Sequence, residues 1–168
     1  QVKLFTGDKI VTYTYTKANP IYAYKFVTDG EESYKIYFPY ADKKYKWLFS
    51  GGSAKDIEGL DQLALFADTL ILTKSLKDCM CYRLLEYDAI SLQGETNKLD
   101  SEFVHKLLKR FKRIIVNYDN DEEGIKGSNR LAHQYGFKHF YIDEAKDLSD
   151  FLKDNDLQLT KQIINDKI

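Results

Sequence analysis

The stretch Arg113-Ile114-Ile115-Val116-Asn117-Tyr118-Asp119-Asn120-Asp121-Glu122-Glu123-Gly124 decides how the rest of this 168-residue chain is read. Its apolar start, Ile114-Ile115-Val116, has the character of a buried strand, and it ends in two aspartates set two apart. In an extended segment, side chains at i and i+2 point to the same side, so Asp119 and Asp121 converge at the strand's carboxyl end. Converging carboxylates suit a divalent cation, and magnesium in particular takes one or two carboxylates and completes its octahedron with water and phosphate oxygens. The same residues also suit a strand-to-helix turn, with Asp121 as N-cap and acids at the positive end of the helix. The segments around them bear on both readings.

From Thr69 onward, short apolar runs alternate with amphipathic ones. Strands are expected at Thr69–Thr73, Asp88–Leu92, Arg113–Tyr118 and Lys138–Ile142, and helices at Leu76–Glu86, Asp100–Phe111 and Glu122–Tyr135, the last stopped by Gly136. A final helix is expected from Leu157. This alternation predicts an α/β fold, a parallel sheet with helices on both faces. Ligands of such sheets bind at the carboxyl ends of the strands. That rule gathers Thr73–Ser75, Gln93–Glu95, Asp119–Gly124 and Asp143–Asp150 at one edge.

Upstream the pattern changes. Residues 1–66 are rich in Tyr, Thr, Val and Lys, contain both prolines, and alternate with the period of a strand: Ile21–Val27, a turn at Asp29-Gly30, then Tyr34–Phe38. A third short strand is expected at Tyr45–Phe49, a break at Gly51–Ser53, and a short helix or turn within Lys55–Leu65. The expected organisation is a small antiparallel β subdomain over residues 1–66 followed by an α/β domain over 67–168.

Composition sets bounds and little more. With 25 basic and 26 acidic residues the net charge is -1, so only local patches can speak for nucleic acid. Cys79 and Cys81 lie two apart in an expected helix, which supports neither a disulfide nor a zinc site and fits a reducing compartment. No apolar run approaches the roughly 20 residues that span a bilayer, and nothing at the start resembles a signal peptide. Opening on Gln1, the chain reads as a domain of something longer.

Leu70-Ile71-Leu72-Thr73-Lys74-Ser75-Leu76-Lys77-Asp78, then Asp119-Asn120-Asp121-Glu122-Glu123-Gly124, then Lys146-Asp147-Leu148-Ser149-Asp150, together resemble the Toprim domain of primases, topoisomerases and certain nucleases. The segment Tyr34-Lys35-Ile36-Tyr37, Pro39 and Lys46-Trp47-Leu48, leading into Asp56–Leu63, is similar to what precedes Toprim in phage-type primases. The resemblance runs from about Ile21 to Leu152. It implies a primase core that makes short RNA primers on a single-stranded DNA template from ribonucleoside triphosphates, with Mg²⁺ or Mn²⁺ as cofactor and a replicative helicase as partner. It places the protein in the cytoplasm, that of a bacterial host if phage-encoded, with no membrane partner.

By the same resemblance Asp119 and Asp121 are metal ligands, and Asp147 and Asp150 give further acidic or supporting contacts, helix capping being their plainer role. Two metals about 4 Å apart would neutralise the attacking and leaving oxygens of nucleotidyl transfer. The chain departs from the family at Lys74, where a glutamate is usual. Lys74 can meet an incoming triphosphate, or it can pair with Asp119 or Asp121 and replace a cation. Glu95 can supply the missing carboxylate, or be an ordinary loop acid. Lys77 and Asp78 also match the family string, and as neighbours at a helix start they can simply cap and solubilise it. Upstream, Lys43, Lys44 and Lys46 flank Tyr45 and Trp47, a pattern that can stack a base and follow phosphates, or protect an edge strand. The alternatives to a primase are a Toprim-like binding module without catalysis and a Toprim nuclease. The upstream Tyr34–Leu63 segment separates primase from nuclease, and residue 74 separates active from degenerate.

Overall fold

The computed structural model describes residues 2–6, 9–28, 30–51, 56–93 and 97–168. The chain divides into two units, Gln1–Ser53 and Ala54–Ile168.

The first unit is antiparallel. A hairpin of β1 (Val2–Thr6) and β2 (Lys9–Tyr13), which the sequence reading did not anticipate, precedes a three-stranded sheet of β3 (Tyr22–Thr28), β4 (Glu31–Tyr37) and β5 (Trp47–Ser50) in the order β3-β4-β5. Gly30 closes the β3–β4 hairpin at φ 84°, a left-handed backbone that glycine adopts without steric cost. The third strand begins at Trp47 because Lys43–Tyr45 turn as one short 3₁₀ segment. In this register Tyr22, Tyr37 and Trp47 lie opposite one another across the three strands, hence on one face.

The second unit holds the expected parallel sheet. Its strands are β6 (Ala67–Thr73), β7 (Asp88–Ser91), β8 (Phe111–Val116) and β9 (Lys138–His139), in the order β7-β6-β8-β9. Its helices are α1 (Leu76–Leu84), α2 (Ser101–Leu108), α3 (Glu122–Tyr135), α4 (Leu148–Asp154) and α5 (Leu157–Lys167). Alternation along the two central strands builds two cores. Leu70, Leu72, Ile114 and Val116 meet Val104 and Leu107 of α2 and Leu131 of α3. Ile71 and Ile115 face the other way, onto Cys79 and Tyr82 of α1, Phe151 of α4 and Ile164 of α5. A strand buried on both faces must be apolar at every position, which is why Leu70-Ile71-Leu72 and Ile114-Ile115-Val116 read as continuous runs.

The fourth strand is shorter than expected. Phe140 N still donates to Val116 O at 3.1 Å, but the next acceptor, Phe140 O, is taken by the Asn117 side-chain amide at 3.1 Å. Asn117 is buried, and its Oδ1 accepts from the Tyr82 hydroxyl at 2.6 Å. This satisfied polar pair holds the ends of β8 and β9 against α1. Upstream of β6, Glu58 and Ser91 exchange backbone hydrogen bonds at 2.9 and 3.0 Å, and Gly59, at φ 79°, is so close to Ala89 O that a Cβ would stand 2.7 Å from it. Among the described residues no helix is long and apolar enough to cross a membrane.

Candidate active site

The chain runs from β6 to β7 on one side and then places β8 on the other side of β6. The sheet therefore changes direction between the carboxyl ends of β6 and β8, the position where open α/β sheets form their crevice. Lys74 follows β6 directly and Asp119 lies three residues past the end of β8.

Three carboxylates meet there. One oxygen each from Asp78, Asp119 and Asp147 lie within 4.8 Å of one another. Each comes from a different turn. Asp78 sits in the first turn of α1, where Ser75 caps the helix: Asp78 N donates to Ser75 Oγ at 3.3 Å and Ser75 Oγ donates back to Asp78 Oδ2 at 2.6 Å. This reciprocal cap turns the carboxylate toward the sheet edge instead of solvent. Ser149 N, in the first turn of α4, donates to Asp78 Oδ1 at 3.2 Å. Burial raises the Asp78 carboxyl to about 6, with the Ser75 hydrogen bond opposing it.

Asp119 is 2% exposed. Its placement depends on Gly124 in α3: a Cβ there would stand 2.1 Å from Asp119 O. Lys74 Nζ is ion-paired and hydrogen-bonded with Asp119 Oδ2, and Lys146 Nζ is 3.4 Å from the same oxygen. Asn120 N donates to Lys146 O at 2.8 Å, tying the two loops together and bringing Lys146 into the site.

Asp121 and Asp147 each divide their oxygens between two tasks. Asp121 caps α3, its Oδ1 accepting from Gly124 N at 3.0 Å, while Oδ2 is 2.9 Å from Lys146 Nζ. The Lys146 contact, then the Gly124 bond, hold the Asp121 carboxyl below its ordinary range. Asp147 caps α4, its Oδ1 accepting from Asp150 N at 2.7 Å and Ser149 Oγ at 2.6 Å, while Oδ2 lies 3.6 Å from Lys77 Nζ. Burial pushes Asp147 up, but the Ser149 and Asp150 hydrogen bonds and Lys77 outweigh it and leave the carboxyl lowered. Cap and charged site are thus one arrangement, not alternatives.

The fold therefore assembles Lys74, Asp119, Asp121 and Asp147 at one edge. Glu95 lies outside the described residues. Sequence reasoning has Asp78 and Lys146 only as members of the family-like strings, with capping and solubilising a helix start as the plainer role of Asp78, and gives neither a place in the site. The signal for Asp78 was the Ser75-x-x-Asp78 spacing, which aims a side chain back over the helix start. Asp121, expected as a ligand, lies outside the group of three.

The basic and aromatic candidates belong to the first unit. Lys43 and Lys44 sit in the 3₁₀ turn, and Lys44 Nζ is 4.6 Å from the Tyr45 ring centroid. Lys46 follows, half-buried. Trp47 stacks on Tyr37 at 4.3 Å and 21°, and Tyr37 on Tyr22 at 6.4 Å and 27°. Lys35 Nζ lies 4.5 Å from the Trp47 ring centroid. Trp47 keeps 42% of its surface exposed, so the row ends in an accessible ring.

Comparison with known proteins agrees with this architecture. Residues 71–152 match the family described as Toprim-like. The solved primase fragment of the bacteriophage T7 primase-helicase protein is similar at a TM-score of 0.54 and 18% identity, over 84% of this chain and 66% of that one. A second similar chain comes from the bacteriophage T7 lagging-strand DNA polymerase interacting with primase domains of two gp4 subunits bound to an RNA/DNA hybrid and dTTP. Its TM-score is 0.55 at 17% identity, over 86% of this chain and 81% of that one. At these identities the likeness is one of fold. This chain thus spans just under two thirds of the T7 primase fragment. No curated protein sequence matches it.

Proposed function

We propose, on the premise that residues 71–152 are a Toprim-like domain, that this chain is the catalytic core of a primase, making short RNA primers on single-stranded DNA by metal-dependent nucleotidyl transfer. The observation that carries this reading is the meeting of Asp78, Asp119 and Asp147 oxygens within 4.8 Å at the sheet's switch point. Hard divalent cations prefer carboxylate oxygens, so this set fits Mg²⁺ or Mn²⁺. Asp119, Asp147 and Asp78 would hold the ion, and when bound it would offset the charge on the reacting phosphate.

The chain's own groups divide the remaining work. Lys74 and Lys146 bring ammonium groups to the same edge, suited to the oxygens of a ribonucleoside triphosphate. Ser75 and Ser149 orient Asp78 from both sides. Asp121 fixes the start of α3 and holds Lys146 in place. In the first unit, the Tyr22–Tyr37–Trp47 row is suited to stack template bases, with Lys43, Lys44 and Lys46 following the phosphates. The similar T7 protein is a primase-helicase, which is the ground for proposing a replicative helicase as partner.

Primer synthesis by the full-length parent on a single-stranded template, with labelled ribonucleotides, tests the reading. Primers should be lost in Asp119→Ala, and synthesis unchanged by that substitution would sink the proposal. One observation favours a second reading, a binding module without catalysis: Lys74 and Lys146 both contact the Asp119 carboxylate. A protein that binds single strands and triphosphates, but yields no primers in its parent context, would establish it.

A further inference from the structure

We infer that Lys74 serves as a built-in cation of the acidic site, so that the site takes one divalent ion and uses the Lys74 ammonium as the second positive centre facing a phosphate-bearing ligand. The inference rests on the reading that the carboxylate group holds metal.

Charge is the first ground. Four aspartates, Asp78, Asp119, Asp121 and Asp147, gather at this edge, and three lysines are set against them. Lys74 and Lys146 contact Asp119, Lys146 also contacts Asp121, and Lys77 contacts Asp147. One divalent ion turns that local balance from one negative charge to one positive. A second would add two more positive charges to a site that one ion has already made positive. Like charges at such spacing repel.

Ligand supply is the second ground. Asp121 spends Oδ1 on Gly124 N and Oδ2 on Lys146. Asp147 Oδ1 accepts from Ser149 Oγ and Asp150 N. Asp78 Oδ2 accepts from Ser75 Oγ and Oδ1 from Ser149 N. Each of these carboxylates already serves a helix start or a lysine, so they offer cations fewer lone pairs than four free carboxylates would, with water completing the shell of a bound ion.

Burial is the third. Asp119 is 2% exposed, and a charge so enclosed requires a fixed counter-charge. Lys74, a third exposed, supplies it from the residue directly after β6. An ammonium carries three N–H donors, so the group that neutralises Asp119 is also suited to a phosphate oxygen.

The test titrates Mn²⁺ into the native protein by calorimetry and follows it by electron paramagnetic resonance. One ion per chain with the spectrum of an isolated Mn²⁺ is expected. Two ions with a magnetically coupled spectrum would overturn the inference while leaving a metal site in place, whereas no Mn²⁺ binding at all would remove the metal-site reading and the inference with it. In Lys74→Met, Mn²⁺ affinity should rise roughly tenfold, as removal of one positive charge beside a divalent ion implies, and ATP affinity measured in chelator should fall by a similar factor. Unchanged values for both would also overturn it. Lys74→Glu should admit a second, coupled Mn²⁺, and a variant that folds yet still takes one ion counts against Lys74 as the excluding group.

Discussion

Gly124→Ala sets two forces of opposite sign against each other. Gly124 lies in the first turn of α3, and by helix propensity alone alanine there should stabilise the protein by about 1 kcal/mol. The structure says otherwise. The added Cβ would stand 2.1 Å from Asp119 O, 2.9 Å from Asp119 C and 3.0 Å from Asp119 N. Real Cβ contacts essentially never fall under 3.0 Å, so the 119 peptide must retreat by about 0.9 Å. Overpacking of this kind typically costs about 1–3 kcal/mol, and here the obstacle is backbone, which cannot swing away. The expected net effect is a loss of up to about 2 kcal/mol in urea unfolding followed by circular dichroism. A shift of this size also exceeds the roughly 0.5 Å within which a binding constellation must be held, so Mn²⁺ affinity should fall about tenfold. Gly136→Ala is the control. Gly136 has φ 71° and no neighbour in the way of a Cβ, so the variant should lose about 1 kcal/mol through backbone strain and leave Mn²⁺ binding unchanged. A Gly124→Ala protein more stable than native, with native Mn²⁺ affinity, would refute the argument.

Three further outcomes follow from particular contacts. In metal-free protein the Asp78 carboxyl, raised from 3.8 to about 6, binds its proton more tightly folded than unfolded. Stability relative to Asp78→Asn should therefore be highest below about pH 4, fall between pH 4 and 6 by on the order of 2–3 kcal/mol, and stay level above. Urea unfolding at several pH values reads this directly, and a difference that grows with pH would contradict it. Trp47 is the single tryptophan, so its own fluorescence should be quenched by an oligothymidylate. Trp47→Ala should weaken that binding by about 1–3 kcal/mol, and an unquenched Trp47 on a bound oligonucleotide would rule out stacking. Tyr82→Phe leaves Asn117 Oδ1 without the hydroxyl that now reaches it at 2.6 Å. It should cost about 1–3 kcal/mol of stability, and a variant as stable as native would show that the pair holds nothing together.

Period and turn chemistry made most of the second unit legible. The doubly buried runs Leu70-Ile71-Leu72 and Ile114-Ile115-Val116 marked the central strands, and Asp121 with Gly136 bounded α3 at the residues the structure uses. Elsewhere, side chains reaching across sequence decided the ends. Lys138–Ile142 reads as a full strand, yet Asn117 occupies the acceptor that would continue the ladder, and no local pattern reveals a competitor over twenty residues away. The site was legible for the residues that follow strands and obscure for those that arrive by capping. Asp78 looked like a solvated helix start because its partner Ser149, 71 residues on, is invisible to local spacing. Lys146 enters through the backbone bond from Asn120 and its ion pairs with Asp119 and Asp121, contacts between stretches of chain that local pattern does not join. In the first unit the alternation gave the hairpin, whereas the stacking of Tyr22, Tyr37 and Trp47 is a matter of register, which alternation leaves open by two-residue steps.

Asp121 and Asp147 start helices with one oxygen and serve the charged edge with the other. Selection for a stable fold alone would therefore preserve both through a lineage that had given up chemistry, and their presence in a relative says little about whether that relative works. Asp119 is the N-cap residue of none of the described helices. A relative that keeps Asp121 and Asp147 but has lost Asp119 is retaining architecture, and retention of Asp119 is the sharper marker of a site still in use.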